Sequence, residues 1–412
     1  MGVNGMCGSG HLVAPTAQCV GCKDDRQELT LDYIVSLTLV FFVVFKIGFV
    51  PETMMQVLKC SSIGLLIFLH REAARSIPHF WAVAMLVLVQ PGCTLFASGV
   101  LSGAAYALVN GLCLVSLLLT FKSLSAVHGA FRVLDSFFWA LLAVSLANDA
   151  SVFLSPAHEA STEYLLGNKF ATGYTHMFLL GIYATLLSRK SGYVRYNWGL
   201  FWLLFIESIV VINCADTMTC MVGIVAAVAI AIVLPKAAVA KISTGAMAVA
   251  ILVSINIVFF GTGMMLENEF VRHFITDVLG RSLNLTGRTV IYDDLDVIIQ
   301  ASPYVGWGYG TSVVRDYVGY GNAQNGLMEL MVTYGAIGTM GFLSVLLVLL
   351  PSHGRRMQGK AAGLVGSLYG MFFASLVEIS FGIMFYLMLS VTSVVLADID
   401  EGGEEGGLNG AV

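Results

Sequence analysis

Two short groups of residues have types and spacings that could do chemistry: Thr286-Gly287-Arg288, and Gln324-Asn325 followed by Glu329. Thr286 reads as a helix N-cap, with Gly287, Arg288 and Thr289 in the first turn of a helix running to about Ala301. A helix N-terminus offers unpaired N–H donors and the positive end of the dipole, and a guanidinium beside it adds a bidentate fork matched to phosphate oxygens. That chemistry is anion binding; a surface Arg paired with Asp293 or Asp294 on the same helix accounts for the pattern equally well. Glu329 falls in the first turns of an apolar helix, where a carboxylate either faces a polar cavity or complements the helix dipole. Further candidates are Lys169, which opens an apolar stretch, Asp216 in a tight turn, and Glu207 inside an apolar stretch.

Between these groups runs Pro303-Tyr304-Val305-Gly306-Trp307-Gly308-Tyr309-Gly310. It follows no βαβ strand, so its glycines do not indicate a dinucleotide site. Rings such as Trp307 and Tyr309 suit either anchoring at a membrane interface or stacking on a sugar. Near the N-terminus, Cys7, His11, Cys19 and Cys22 could close around a metal ion, or be incidental cysteines in a Gly-rich tail. No metal or cofactor is assigned to the functional residues, and no basic tract points to nucleic acid.

These groups interrupt a chain that is 57% hydrophobic and only 11% charged, against roughly 25% charged in an average soluble domain. Twelve apolar stretches, near 29–49, 54–70, 79–98, 100–120, 131–149, 170–188, 196–213, 217–234, 242–262, 325–350, 361–378 and 380–397, predict an all-α polytopic membrane protein with about twelve transmembrane helices. The first 28 residues lack an apolar h-region of about 7–15 residues, so the first stretch is expected to act as its own insertion signal. With both termini cytoplasmic, the inner loops hold twice as many of the 21 Lys and Arg residues as the outer ones, which fits the inside-positive rule. The expected organisation is a cytoplasmic tail (1–28), nine helices (29–262), a large partly helical outer loop (263–324), three helices (325–397) and an acidic, disordered tail (398–412). An amphipathic interfacial helix is expected over Glu267 to Leu283. The polar segments at Pro51 to Thr53, Asp149 to Lys169, Cys214 to Thr217, Gly263 to Gln324 and near Glu378 then share the outer face.

In this order and spacing, Thr286-Gly287-Arg288, Pro303 to Gly310, Gln324-Asn325 with Glu329, and Gly335-Ala336-Ile337-Gly338 resemble the O-antigen ligase and polymerase family of bacterial glycan transferases; Gly167 to Lys169 resembles an earlier Lys-Asn element in altered order. The resemblance covers roughly Gly167 to Gly338. It implies a multi-pass protein of the bacterial inner membrane whose large loop is periplasmic. The implied reaction is metal-independent and inverting: a glycan moves from undecaprenyl diphosphate to an acceptor sugar hydroxyl at the periplasmic face. The partners implied are the lipid-linked oligosaccharide, membrane lipid, an acceptor glycan, and flippase and chain-length regulator proteins. By analogy Arg288 and Lys169 hold the diphosphate, Asn325, Trp307 and Tyr309 orient the acceptor, and Glu329, Asp216 or Gln324 serve the proton transfer. Gln324 stands where the family has His, and an amide is no general base, while Asp216-Thr217-Met218-Thr219 lacks the family's Arg. A polysaccharide polymerase is the expected function. A ligase acting on lipid A core or protein is the alternative within the class, and a secondary transporter the alternative outside it.

Overall fold

A computed structural model describes residues 31–155, 163–188, 196–261, 273, 276–277, 288–352 and 360–408. The apolar stretches fold into α1 (Leu31–Val44), α2 (Glu52–His70), α3 (Phe80–Ser98), α4 (Leu101–His128), α5 (Ala130–Leu154), α6 (Lys169–Ser188), α7 (Trp198–Cys214), α8 (Met218–Ile232), α9 (Lys236–Ile242) and α10 (Gly245–Gly261). The second half adds α11 (Arg288–Ala301), α12 (Val313–Val318), α13 (Gly326–Leu349), α14 (Ala362–Ala374) and α15 (Ile383–Leu408). A two-residue hairpin, β1 (Glu163–Tyr164) with β2 (Gly167–Asn168), leads into α6.

The centre of the bundle is α4, α6, α14 and α15. Helix α14 is buried along almost its whole length, and its backbone closes on α6 and α8 where Gly363 meets Gly181 and Gly370 meets Gly223. Small residues at such crossings let helices approach closely where lipid supplies no hydrophobic drive for association. Ser367 Oγ donates to the Met177 carbonyl across the same contact (2.8 Å). The outer helices expose large apolar side chains such as Trp81, Phe96, Trp202 and Ile206. The protein is therefore an all-α polytopic membrane protein.

Each of the twelve apolar stretches coincides with helix, but among the described residues seven helices are long and apolar enough to cross a membrane, or eight if the bent pair α9–α10 counts as one span. Helices α1, α7, α8 and α14 have 14, 17, 15 and 13 residues. At 1.5 Å per residue they extend about 20–26 Å, short of the ~30 Å hydrocarbon core. The stretch 242–262 forms α10, and the chain turns by 83° between the short α9 and α10, at the start of that stretch. At the C-terminus, α15 runs to Leu408, so most of the acidic tail expected to be disordered continues a helix. The tail 1–28, with Cys7, His11, Cys19 and Cys22, lies outside the described residues, as do Thr286, Gly287 and most of the segment expected as an interfacial helix.

The polar connections converge on one end of the bundle. The Gly48 N–H donates to the Leu165 carbonyl (3.2 Å), joining the α1–α2 turn to the hairpin. Lys169 Nζ donates to the Asp216 carbonyl (3.2 Å), joining the start of α6 to the α7–α8 turn. The Tyr309 N–H donates to Thr94 Oγ1 near the end of α3 (3.3 Å), and Asn325 Nδ2 donates to the Leu376 carbonyl after α14 (3.0 Å).

Candidate functional site

Helix α13 is broken, and the break is what shapes the site. Gly335 takes φ 62° and ψ −168°, a conformation that a residue with a Cβ avoids. The Pro303–Gly308 segment docks into the gap and exchanges backbone hydrogen bonds with the helix. Trp307 and Gly308 N–H groups donate to the Val332 and Thr333 carbonyls (2.9 and 2.8 Å), while Ala336 and Ile337 N–H groups donate to the Pro303 and Tyr304 carbonyls (2.8 and 3.0 Å). The break thus leaves these four helix groups paired, as burial demands. Gly335 stands nine residues past Gly326, so the inserted loop reaches about 14 Å along α13.

This loop is fixed from behind by α11, whose Ile291, Leu295 and Ile298 fall on one face and form a small core with Val313, Val314 and Val332. Trp307 packs against that core, and its Nε1 donates to the Ile298 carbonyl (3.0 Å). Tyr292 Oη donates to the Gln324 carbonyl (3.0 Å) and to the Leu376 carbonyl (3.2 Å), holding α11 over the start of α13.

A cavity of about 350 Å³ opens between the inserted loop and the first turns of α13. Its polar lining comes from Glu329, Asn322, Thr333, Gln90, Asn110 and Tyr309. A second cavity of about 600 Å³ shares Asn110, Tyr309 and Gly310 and brings in Lys59, Gln56 and Glu52 of α2. Together they join two carboxylates, Glu329 and Glu52, and several neutral hydrogen-bonding groups to the Lys59 side chain. Glu329 Oε2 accepts the Ala323 N–H (2.9 Å), which orients the carboxylate and ties down the strand entering α13.

The residues expected to do chemistry fare differently. Glu329 and Tyr309 line the cavity. Gln324 adopts a left-handed backbone (φ 51°) and turns its Nε2 onto Asn322 Oδ1 (2.7 Å), so the amide lining the cavity is that of Asn322. Asn325 is fully buried: Oδ1 caps α13 by accepting the Met328 N–H (2.9 Å), and Nδ2 donates to Asn256 Oδ1 and to the Leu376 carbonyl. Those bonds occupy both its amide donors, which leaves none for an acceptor sugar. Trp307 is taken up by the α11 core instead of the cavity wall.

Lys169 and Asp216 clamp each other, with Lys169 Nζ 3.2 Å from the Asp216 carbonyl and 3.9 Å from its Oδ2. Arg288 stands at the start of α11, and its side chain, like the expected cap at Thr286, lies outside the described residues. Glu207 faces His176 inside the bundle (3.6 Å). Sequence reasoning missed Lys59, Gln90, Asn110 and Asn322, because single polar residues in or beside apolar stretches carry no periodic signal of the cavity they share. The scan of protein-family models gives no match, and no curated protein is significantly similar to the chain in sequence.

Proposed function

We propose that this protein is a polysaccharide polymerase that transfers a glycan from a lipid diphosphate to a sugar hydroxyl at the outer face of a bacterial inner membrane. The observation that carries the reading is the pair of adjoining cavities, one holding the Glu329 carboxylate and the other Lys59. The acceptor hydroxyl attacks the anomeric carbon, the bond from that carbon to the diphosphate oxygen breaks, and Glu329 takes the hydroxyl proton. Configuration inverts because attack and departure occur on opposite sides. Fixed cations and helix N–H groups stabilise the leaving diphosphate, with Arg288 at the N-terminus of α11 and Lys59 as the side chains assigned to it. In this reading all twelve apolar stretches cross the membrane, and the polar end of the bundle faces outward.

The test is extension of an undecaprenyl-diphosphate oligosaccharide by the purified protein in proteoliposomes without nucleotide sugar. Longer lipid-linked products are expected, and Arg288→Ala is expected to abolish them while inserting normally. A second reading, a secondary transporter, draws support from the discontinuous α13, since broken helices form substrate sites in many transporters. Gradient-driven solute uptake without chain extension in the same vesicles would replace the first reading with the second.

A further inference from the structure

A second polar cluster lies on α5, α6 and α7, apart from the lining of the Glu329 cavity. His176 of α6 has Asp149 Oδ1 of α5 against its Nε2 (3.0 Å). Ser208 Oγ and Glu207 Oε2 of α7 stand 3.1 and 3.6 Å from its Nδ1. Asp149, His176 and Ser208 are 3%, 0% and 0% exposed. One ligating atom from each of Asp149, His176 and Glu207 lies within 4.8 Å of the other two. Among the described residues, the ion pairs of both carboxylates are with His176.

Hydrogen-bond direction shows what the cluster requires. Ser208 Oγ donates to the Leu204 carbonyl (2.7 Å), so towards His176 its oxygen accepts and the ring proton belongs on Nδ1. Nε2 and Asp149 Oδ1 then meet lone pair to lone pair at 3.0 Å, a separation that demands a positive charge between them. Asp149 Oδ2 and Glu207 Oε1 are also buried with no hydrogen-bond partner. One proton on Nε2 supplies a single charge against two carboxylates. Pairing the remaining oxygens without a metal takes a second proton held between Glu207 and Asp149, which leaves the cluster with no positive charge beyond the imidazolium inside an apolar bundle. A divalent ion supplies two charges, and an imidazole nitrogen with two carboxylate oxygens is a donor set that suits zinc and its first-row neighbours. The Nδ1–H bond to Ser208 is the outer contact by which a metal-ligating His is held in one tautomer.

We propose that Asp149, His176 and Glu207 bind one divalent transition-metal ion of the Zn²⁺ type, through His176 Nε2 and carboxylate oxygens, with Ser208 positioning the ring. His176 lies seven residues beyond Lys169, and Glu207 seven before Cys214, so the ion joins α5, α6 and α7 about 10 Å inside the polar end of the bundle. It braces the helices that carry the Lys169–Asp216 clamp and takes no part in the transfer step.

The full chain in detergent, with Cys7, Cys19 and Cys22 changed to Ser so that the N-terminal thiols cannot contribute, is stripped with chelator and titrated with Zn²⁺ and with Co²⁺. One ion per chain is expected, with a Co²⁺ spectrum of nitrogen and oxygen ligation. Asp149→Asn and Glu207→Gln should each weaken binding at least about 10-fold, and Ser208→Ala by about 10-fold, in the range outer-contact losses produce. Absence of bound metal in the triple-Ser protein, the result if the cluster holds only protons, overturns the proposal. So does unchanged affinity in His176→Gln. Should Asp149→Asn fail to elute as a folded species, the Co²⁺ spectrum of the triple-Ser protein decides alone, and a spectrum lacking a bound ion or showing thiolate ligation rejects the site.

Discussion

Gly306 lies against the backbone of Gly335, so close that a Cβ on Gly306 would stand 2.6 Å from the Gly335 nitrogen. The inserted loop and the broken helix therefore depend on two glycines from different parts of the chain. The cavity holding Glu329 is bounded by that loop at Gly308 to Gly310 and by that helix at Glu329 to Tyr334.

Replacing either glycine by Ala should open this junction. Backbone strain at Gly335 costs about 1–3 kcal/mol by itself, and the clash with Tyr304 and Val305 adds to it. We expect Gly335→Ala and Gly306→Ala to lower the thermal unfolding midpoint in detergent and to abolish chain extension. Gly310→Ala is the control. Its φ of 80° carries the conformational cost, yet nothing lies within 4 Å of its Cβ position, so its midpoint should fall least of the three.

For Glu329, Gln is the informative replacement. The amide keeps an oxygen for the Ala323 N–H and so preserves the strand entering α13, but it cannot accept a proton. General bases contribute about 10²–10⁴-fold, and extension by Glu329→Gln should fall by at least about 10²-fold with an unchanged midpoint. A rate within about 3-fold of the unsubstituted protein would remove Glu329 from the proton transfer.

The helices were legible because apolar stretches must fold so within a membrane, and the α11 end at Ala301 was legible from helix start and stop signals, with Pro303 two residues on. Gly306 and Gly335 stand out in the sequence only as members of two separate glycine motifs, the second inside an apolar stretch expected to be continuous helix, since no local pattern records which two backbones will touch. His176 shows the same limit. A lone His in an apolar helix is neutral as a sequence signal, and its meaning comes from Asp149 and Glu207 on two other helices. Helix termini are local, so Arg288 could be placed at the start of α11, whereas Lys59 joins the site only through the packing of α2 beside Tyr309.

Lys169 and Asp216 can be separated by how they fail. The nearer contact of Lys169 is the Asp216 carbonyl, so Asp216→Asn should retain extension within about 3-fold. Lys169→Met should lower stability by about 1.5–3 kcal/mol, the worth of a hydrogen bond to a charged group, and lose activity in step with it. Weaker use of the lipid diphosphate at an unchanged midpoint would instead make Lys169 a donor-binding cation.

Asn325 supports the site through stability, and its substitutions should say so. Truncation to Ala leaves the Met328 N–H, Asn256 Oδ1 and the Leu376 carbonyl without their Asn325 partner in a fully buried place. Loss of a cap costs about 1 kcal/mol, and each unsatisfied buried group about 1–3 kcal/mol. We expect Asn325→Ala to destabilise by at least about 2 kcal/mol. Asn325→Asp, which keeps the cap oxygen and loses both amide donors, should be no better. Asn256→Ala removes one of the same partners, so the double variant should lose less than the two single losses combined, by about 1 kcal/mol or more. Unfolding measured by near-ultraviolet circular dichroism gives all four values. An Asn325→Ala protein of unchanged stability that cannot extend chains would return this residue to the acceptor site, which its position beside Gln324 suggested.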